Sequence, residues 1–337
     1  MKKILLATTV LAAAGFTSAQ AAEWETGVSG YYYLGLGLSD ASDQDGLGIV
    51  RDGEIHFNGR LTADNGLTFR ARVELEANTS ADQIDENWGS VGGSFGTILI
   101  GSNDDAVYNN HVGVIYAPGA RVGYYDEFNT VTAGAAYNRA GVGSDQIGIH
   151  YTTPDFFGFK AYGSYHPSAT TSDGPGGFGV GDNNVINFEG TDLYAVGASY
   201  TGDFGDFGFA VSGGFTDVEA LGQLYTFGAN VSFGGFTVAG TYERENPDGG
   251  GQNGDEFAIG MQYATGPWTV GGGWGSADGD QFTGGSTNGA DLGEDQITGW
   301  VTYAAAPGVL FTVGLEYADA EGGGSDFGGL GYLTLRF

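Results

Sequence analysis

From residue 22 onward, apolar and polar positions alternate with period two. In Gly66–Ala77, Leu67, Phe69, Ala71, Val73, Leu75 and Ala77 share one face; Thr68, Arg70, Arg72, Glu74 and Glu76 share the other. Successive side chains of a strand point to opposite sides, so this pattern predicts a strand with one apolar face. The preceding segment repeats it, with Ile55, Phe57, Gly59 and Leu61 set against Glu54, His56, Asn58 and Arg60. Asp64-Asn65-Gly66 between them is a strong hairpin signal. Phe207–Thr216, Tyr225–Phe233, Phe236–Glu243 and Phe311–Tyr317 alternate in the same way, and their apolar faces carry no charge. About sixteen such strands are predicted.

The connections fall into two classes. Short ones include Gly234-Gly235 and Thr265-Gly266-Pro267; longer ones, acidic and rich in Gly, Asn and Ser, include Ser39–Val50, Ser168–Gly190, Asn246–Gly254 and Asp278–Gly293. All can be hairpins, so the sheet is expected to be antiparallel. Aromatic residues stand beside the short turns: Phe204, Phe233, Phe236, Tyr263, Trp268, Tyr303 and Phe311 among them. Aromatics gathered at one end of every hairpin form a belt at a membrane–water interface. An open sheet this wide would expose two edges, and in hydrocarbon each unpaired backbone group costs several kcal/mol. The predicted fold is therefore all-β: a transmembrane antiparallel β-barrel spanning residues 22–337. Sixteen strands enclose an aqueous channel, which accounts for inward faces made of Gly, Ser, Thr and charged residues.

One stretch breaks the rhythm. Ser102–Ser144 runs about forty residues between the predicted strands Gly96–Gly101 and Asp145–Thr153, where connections have a median of about 4–6. A loop of that length either functions or contradicts the strand assignment. The expectation is that it folds inside the wall.

The N-terminus carries a different signal. Lys2 and Lys3, the apolar run Ile4–Phe16 and the small residues Ser18-Ala19-Gln20-Ala21 have the order of a secretory signal peptide, residues 1–21. The chain has no cysteine, so neither disulfides nor thiol chemistry are available to it. Its formal charge is -30, and removing Lys2 and Lys3 makes it -32. Nucleic acid and anionic surfaces are poor partners for such a chain.

The signal peptide, the strand rhythm, the long loop after Gly96–Gly101 and the ending Leu333-Thr334-Leu335-Arg336-Phe337 together resemble the general diffusion porins of Gram-negative outer membranes, of the alphaproteobacterial type. The resemblance implies a homotrimer in the outer membrane, in contact with the lipid bilayer and lipopolysaccharide. It also implies a terminal Phe337 read by the barrel-assembly machinery, and a third loop folded inward as a pore constriction. Acidic loop residues would then face a basic wall cluster: Asp104, Asp105, Asp126 and Glu127 opposite Arg60, Arg70 and Arg72. The alternative for the arginines is pairing with Glu54, Glu74 or Glu76 in the wall. Arg121 and Arg139 are expected to hold the loop through its acids, and His56 and His111 to face water.

The implied function is passive diffusion of small hydrophilic solutes and ions, with weak cation selectivity from the acidic balance. A substrate-specific channel would need a solute track, for which Tyr31, Tyr33, Tyr162 and Trp300 are candidates. A barrel enzyme is disfavoured because no catalytic set is visible. A calcium-dependent β-roll requires a nine-residue repeat that is not seen. No cofactor is expected. Asp43-Gln44-Asp45-Gly46 and Asp278-Gly279-Asp280 resemble fragments of calcium loops without the closing Glu, leaving Ca2+ in acidic outer loops as a lesser expectation.

Overall fold

The computed structural model describes residues 23–40, 46–77, 83–113, 147–167, 192–248, 252–278, 294–320 and 324–337. The signal-peptide segment, Arg121, Asp126, Glu127 and Arg139 lie outside the described residues, as do the calcium-loop fragments apart from Gly46 and Asp278.

Sixteen antiparallel strands close into one barrel in which each strand pairs with its sequence neighbours. The first half comprises β1 (Glu25–Ser39), β2 (Gly46–Thr62), β3 (Thr68–Glu76), β4 (Ile84–Gly93), β5 (Gly96–Ser102), β6 (Ile147–Thr152), β7 (Phe159–His166) and β8 (Leu193–Phe204). The second comprises β9 (Phe207–Val218), β10 (Gly222–Phe233), β11 (Phe236–Pro247), β12 (Gly254–Thr265), β13 (Trp268–Asp278), β14 (Glu294–Ala306), β15 (Val309–Ala320) and β16 (Gly324–Arg336). A single helical turn, α1 (Ala106–Asn110), lies between β5 and β6. Closure comes from β1 pairing with β16, from Tyr31↔Arg336 to Ser39↔Gly328. The terminal residue extends that seam: Gly30 N–H donates to the Phe337 carbonyl at 2.9 Å, and Phe337 N–H to the Gly30 carbonyl at 3.1 Å.

The predicted alternation holds, with apolar residues outside. Val313 and Leu315 on β15 are exposed on the outer face, while Thr312 and Glu316 between and beside them are buried inside. Thr302 and Thr312 share a hydrogen bond of 2.8 Å across β14 and β15. A soluble core would reverse this order; exposed aliphatic side chains over buried polar ones suit a wall between lipid and water.

Turn chemistry sets the hairpins. Gly66 closes the β2–β3 turn at φ 83°, and the Asn65 side chain accepts from Leu67 N–H at 3.1 Å. Gly234 and Gly235 both take positive φ between β10 and β11, as a primed turn requires. Aromatic rings pair beside the short turns: Phe207 with Phe233 at 4.5 Å, Phe236 with Tyr263 at 4.4 Å and Trp268 with Tyr303 at 4.7 Å. A second set stands nearer the long loops, with Phe215 against Tyr225 at 5.1 Å and Phe257 against Trp274 at 4.7 Å. Tyr225 and Phe233 on β10 are separated by about 26 Å of strand at 3.3 Å per residue, or about 20 Å of height at a tilt near 40°. That is close to the apolar band of about 25 Å that such barrels present to lipid.

Candidate functional site

The connection after β5 turns into the lumen at once. Asp105 is the N-cap of α1: its Oδ1 accepts from Val107 N–H at 2.6 Å and from Tyr108 N–H at 2.9 Å. An Asp at this position satisfies amides that have no partner inside the helix. Asn103 and Asn109 brace the turn through a side-chain hydrogen bond of 2.5 Å. Asn110 Nδ2 donates to the Ala106 carbonyl at 2.8 Å.

This segment is fastened along the inner wall. Ala106 N–H donates to Ser164 Oγ on β7 at 2.9 Å, and Val112 N–H to Ser212 Oγ on β9 at 2.8 Å. Thr216 Oγ1 on β9 donates to Asp105 Oδ2 at 3.4 Å. Ala106 and Val107 enter a buried apolar cluster with Tyr162, Leu193, Ala195 and Val218. The path needs missing side chains in the wall. A Cβ on Gly228 of β10 would stand 1.6 Å from the Val112 carbonyl oxygen, and one on Gly214 of β9 would stand 2.3 Å from Val107 Cγ1. Residues 103–113 thus cross the inner faces of β7 through β11, as the inward-folding expectation requires. The remainder of Ser102–Ser144 lies outside the described residues.

Opposite this segment, a water-accessible cavity of about 760 Å³ runs along the inner wall of β1–β6. Glu54, His56, Arg72, Glu74, Glu76, Asp85 and Glu86 line it from the wall; Asp104, Tyr108 and Asn109 line it from the loop. Arg72 forms an ion pair with Glu74 and contacts His56 Nδ1 at 2.8 Å. His56 Nε2 lies 3.1 Å from Glu54 Oε2 and 3.6 Å from Glu74 Oε2.

The sequence-predicted residues divide accordingly. Arg60, Arg70 and Arg72 all face inward, and Arg60 stands directly opposite Arg70. Arg72 has the wall-paired environment that was the alternative for it. Neither Arg60 nor Arg70 forms an ion pair with a described residue. Asp104 faces the cavity. Asp105 departs from the expected role: it is fully buried and serves as cap and anchor. His111, expected to face water, is tucked against Gly228, and burial pushes its imidazole down to about 4, so it is uncharged at neutral pH.

The candidate solute track is broken as well. Tyr31 lines the cavity, but Tyr33, Tyr162 and Trp300 are only 3–5 % exposed. Sequence reasoning missed Glu86 and Asp85 as lining groups, and Ser164, Ser212, Gly214 and Gly228 as the loop's seat. The available signal was small residues recurring at inward positions of consecutive strands. Glu54, Glu76 and Asp85 lie within mutual reach of a shared ion, as do Glu243, Glu245 and Glu256.

A closed barrel with an apolar exterior, and a charged inner cavity narrowed by an inturned loop, defines a transmembrane channel. The family model described as Gram-negative porin matches residues 7–323, and the chain belongs to that family. It is an outer-membrane porin, as the sequence resemblance implied. Solved structures share the fold at low identity. An anion-selective porin from Comamonas acidovorans is 16% identical with a TM-score of 0.66, covering 94% of this chain and 100% of its own. OmpT of Vibrio cholerae in its trimer form is 13% identical with a TM-score of 0.63, covering 93% and 99%. A triple mutant of Rhodopseudomonas blastica porin is 18% identical with a TM-score of 0.59, covering 93% and 100%. No curated protein matches by sequence.

Proposed function

We propose that the chain forms a passage for small hydrophilic solutes and ions with a weak preference for cations. The observation that carries this reading is the lining of the cavity. Five wall carboxylates and Asp104 surround it, against Arg72 and two histidines. In a narrow, partly desolvated opening, charges of one sign raise the local concentration of the opposite ion. The wider mechanism follows from the same geometry. The loop segment 103–113 narrows the lumen, polar side chains replace part of a solute's hydration, and the apolar exterior keeps the wall in lipid.

Self-association as a homotrimer belongs to this reading and is supported by the trimeric Vibrio cholerae neighbour. So do contact with lipopolysaccharide, export through residues 1–21 and recognition of Phe337 during assembly. The Comamonas acidovorans neighbour is named anion-selective, so the barrel alone does not set the sign. The test is the reversal potential across a planar bilayer in a KCl gradient. A cation-signed potential that moves toward zero in E54Q/E76Q is expected. An anion-signed potential in the unmodified protein defeats the selectivity claim.

A further inference from the structure

The inward charges are sorted by height. Counting away from the short turn of the β2–β3 hairpin, the inward rungs are Arg60 opposite Arg70, Asn58 opposite Arg72, His56 opposite Glu74, and Glu54 opposite Glu76. Inward positions recur every second residue, so successive rungs are about 6.6 Å apart along the strand. Arginines hold the turn side and carboxylates the long-loop side.

Other walls keep the order. Lys160 is the second residue of β7 and Arg336 the last of β16, both beside short connections and on the inward period of their strands. Of eleven basic residues, seven are described. Arg51 and Arg244 alternate onto the outer face; the other five point inward from the turn-side reaches of their strands. Most inward carboxylates take the opposite end, among them Glu243 and Glu245 late in β11, Glu256 early in β12 and Glu316 late in β15. Glu25, opposite Arg60, and Asp203 near the end of β8 are inward acids on the turn side. Asp64, Asp155 and Asp206 stand on the turns at the rim. The turn side is therefore mixed, with a basic wall at Arg60 and Arg70, while every described inward charge beyond the His56–Glu74 rung is acidic. The sorting concerns where charges sit, not whether any of them lacks a partner.

We infer that the lumen is polarised along its axis: a carboxylate zone on the long-loop side lies in series with an arginine-bearing zone on the turn side, and ionic current through it rectifies. The direction follows from simple transport. With the long-loop side positive, cations enter through the carboxylate zone and anions through the arginine zone. Both ions accumulate where the zones meet, and conductance rises. With the polarity reversed, each ion must enter through the zone that repels it, and the junction is depleted. The effect requires zones at least comparable in length to the screening distance, which is about 10 Å at 0.1 M salt. It falls away at 1 M, where that distance is about 3 Å.

This inference rests on the channel reading and is separable from it. The experiment is the current–voltage curve of the purified, folded protein in a planar bilayer at about 0.1 M and at about 1 M KCl. Orientation is fixed by T265C, an exposed short-turn position in a chain without cysteine, biotinylated and read with streptavidin added to one chamber. The expected result is about 1.5-fold greater conductance with the long-loop side positive at low salt, shrinking toward unity at high salt. R60E/R70E reverses the charge of the turn-side rung of the β2–β3 wall, leaving Arg72 paired with Glu74, and is expected to give a nearly symmetric curve. A symmetric curve for the unmodified protein at low salt, a larger conductance with the loop side negative, or asymmetry unchanged in R60E/R70E overturns the inference while leaving the channel intact. A folded barrel that never conducts overturns the channel reading and this inference together.

Discussion

Asp105 commits both carboxylate oxygens to the protein, one to the first amides of α1 and the other to Thr216. Removing an N-cap of this kind costs about 0.5–2 kcal/mol. D105A is expected to loosen residues 103–113 without unfolding the barrel. Proteolysis should cut the segment faster, single-channel current should become noisier, and the melting temperature of the barrel should stay put. A shift in ion selectivity with unchanged protease protection would instead give Asp105 the role of a charge acting on solutes. Asp104 and Asp105 are adjacent acids and read alike in the sequence, where both were expected at the constriction. Which one caps a helix depends on where the chain turns, and α1 is too short to show a helical period. The arginines were legible as inward by alternation alone. That Arg72 pairs with Glu74 was legible only as an alternative, because its neighbours across the rungs depend on the pairing register of β2 and β3.

At the scale of elements, the strands were read from a period of two, which local sequence carries directly. Predicted Gly96–Gly101 is β5, Gly96–Ser102, and predicted Asp145–Thr153 contains β6, Ile147–Thr152, with residues 145 and 146 outside the described residues. The course of the loop between them was legible only as an inward turn, because its seat is assembled from β7 through β11, far away in sequence. Gly228 is the narrowest point of that seat. A methyl group there would strike the Val112 carbonyl, which is backbone and cannot rotate aside. G228A is therefore expected to displace residues 111–113 at a cost of about 1–3 kcal/mol, the usual penalty of overpacking. The outer face of β10 is untouched, so folding and membrane insertion should match the unmodified protein. Single-channel conductance and exclusion of uncharged polymers of graded size measure the result: a wider or more variable opening is expected. Unchanged conductance and unchanged exclusion would mean that the segment near Val112 does not narrow the passage.

For the whole molecule, closure is the condition that makes the rest possible, because lipid tolerates no sheet edge. The seam between β1 and β16 runs to the last residue, with two backbone hydrogen bonds between Gly30 and Phe337. Phe337 as a whole is 63% exposed, and its side chain makes neither of these hydrogen bonds. Backbone and ring can therefore be separated experimentally. Deleting Phe337 removes both hydrogen bonds and is expected to cost about 1–3 kcal/mol at the seam, lowering the melting temperature of protein refolded in detergent. F337A keeps the pairing and should melt close to the unmodified protein in the same assay. In cells, the proposed recognition of the ring by the assembly machinery predicts that F337A reaches the outer membrane poorly despite that stability. If F337A and the unmodified protein accumulate equally in the membrane, the terminal ring is not what the machinery reads. The contribution of Phe337 then reduces to the two hydrogen bonds that finish the barrel.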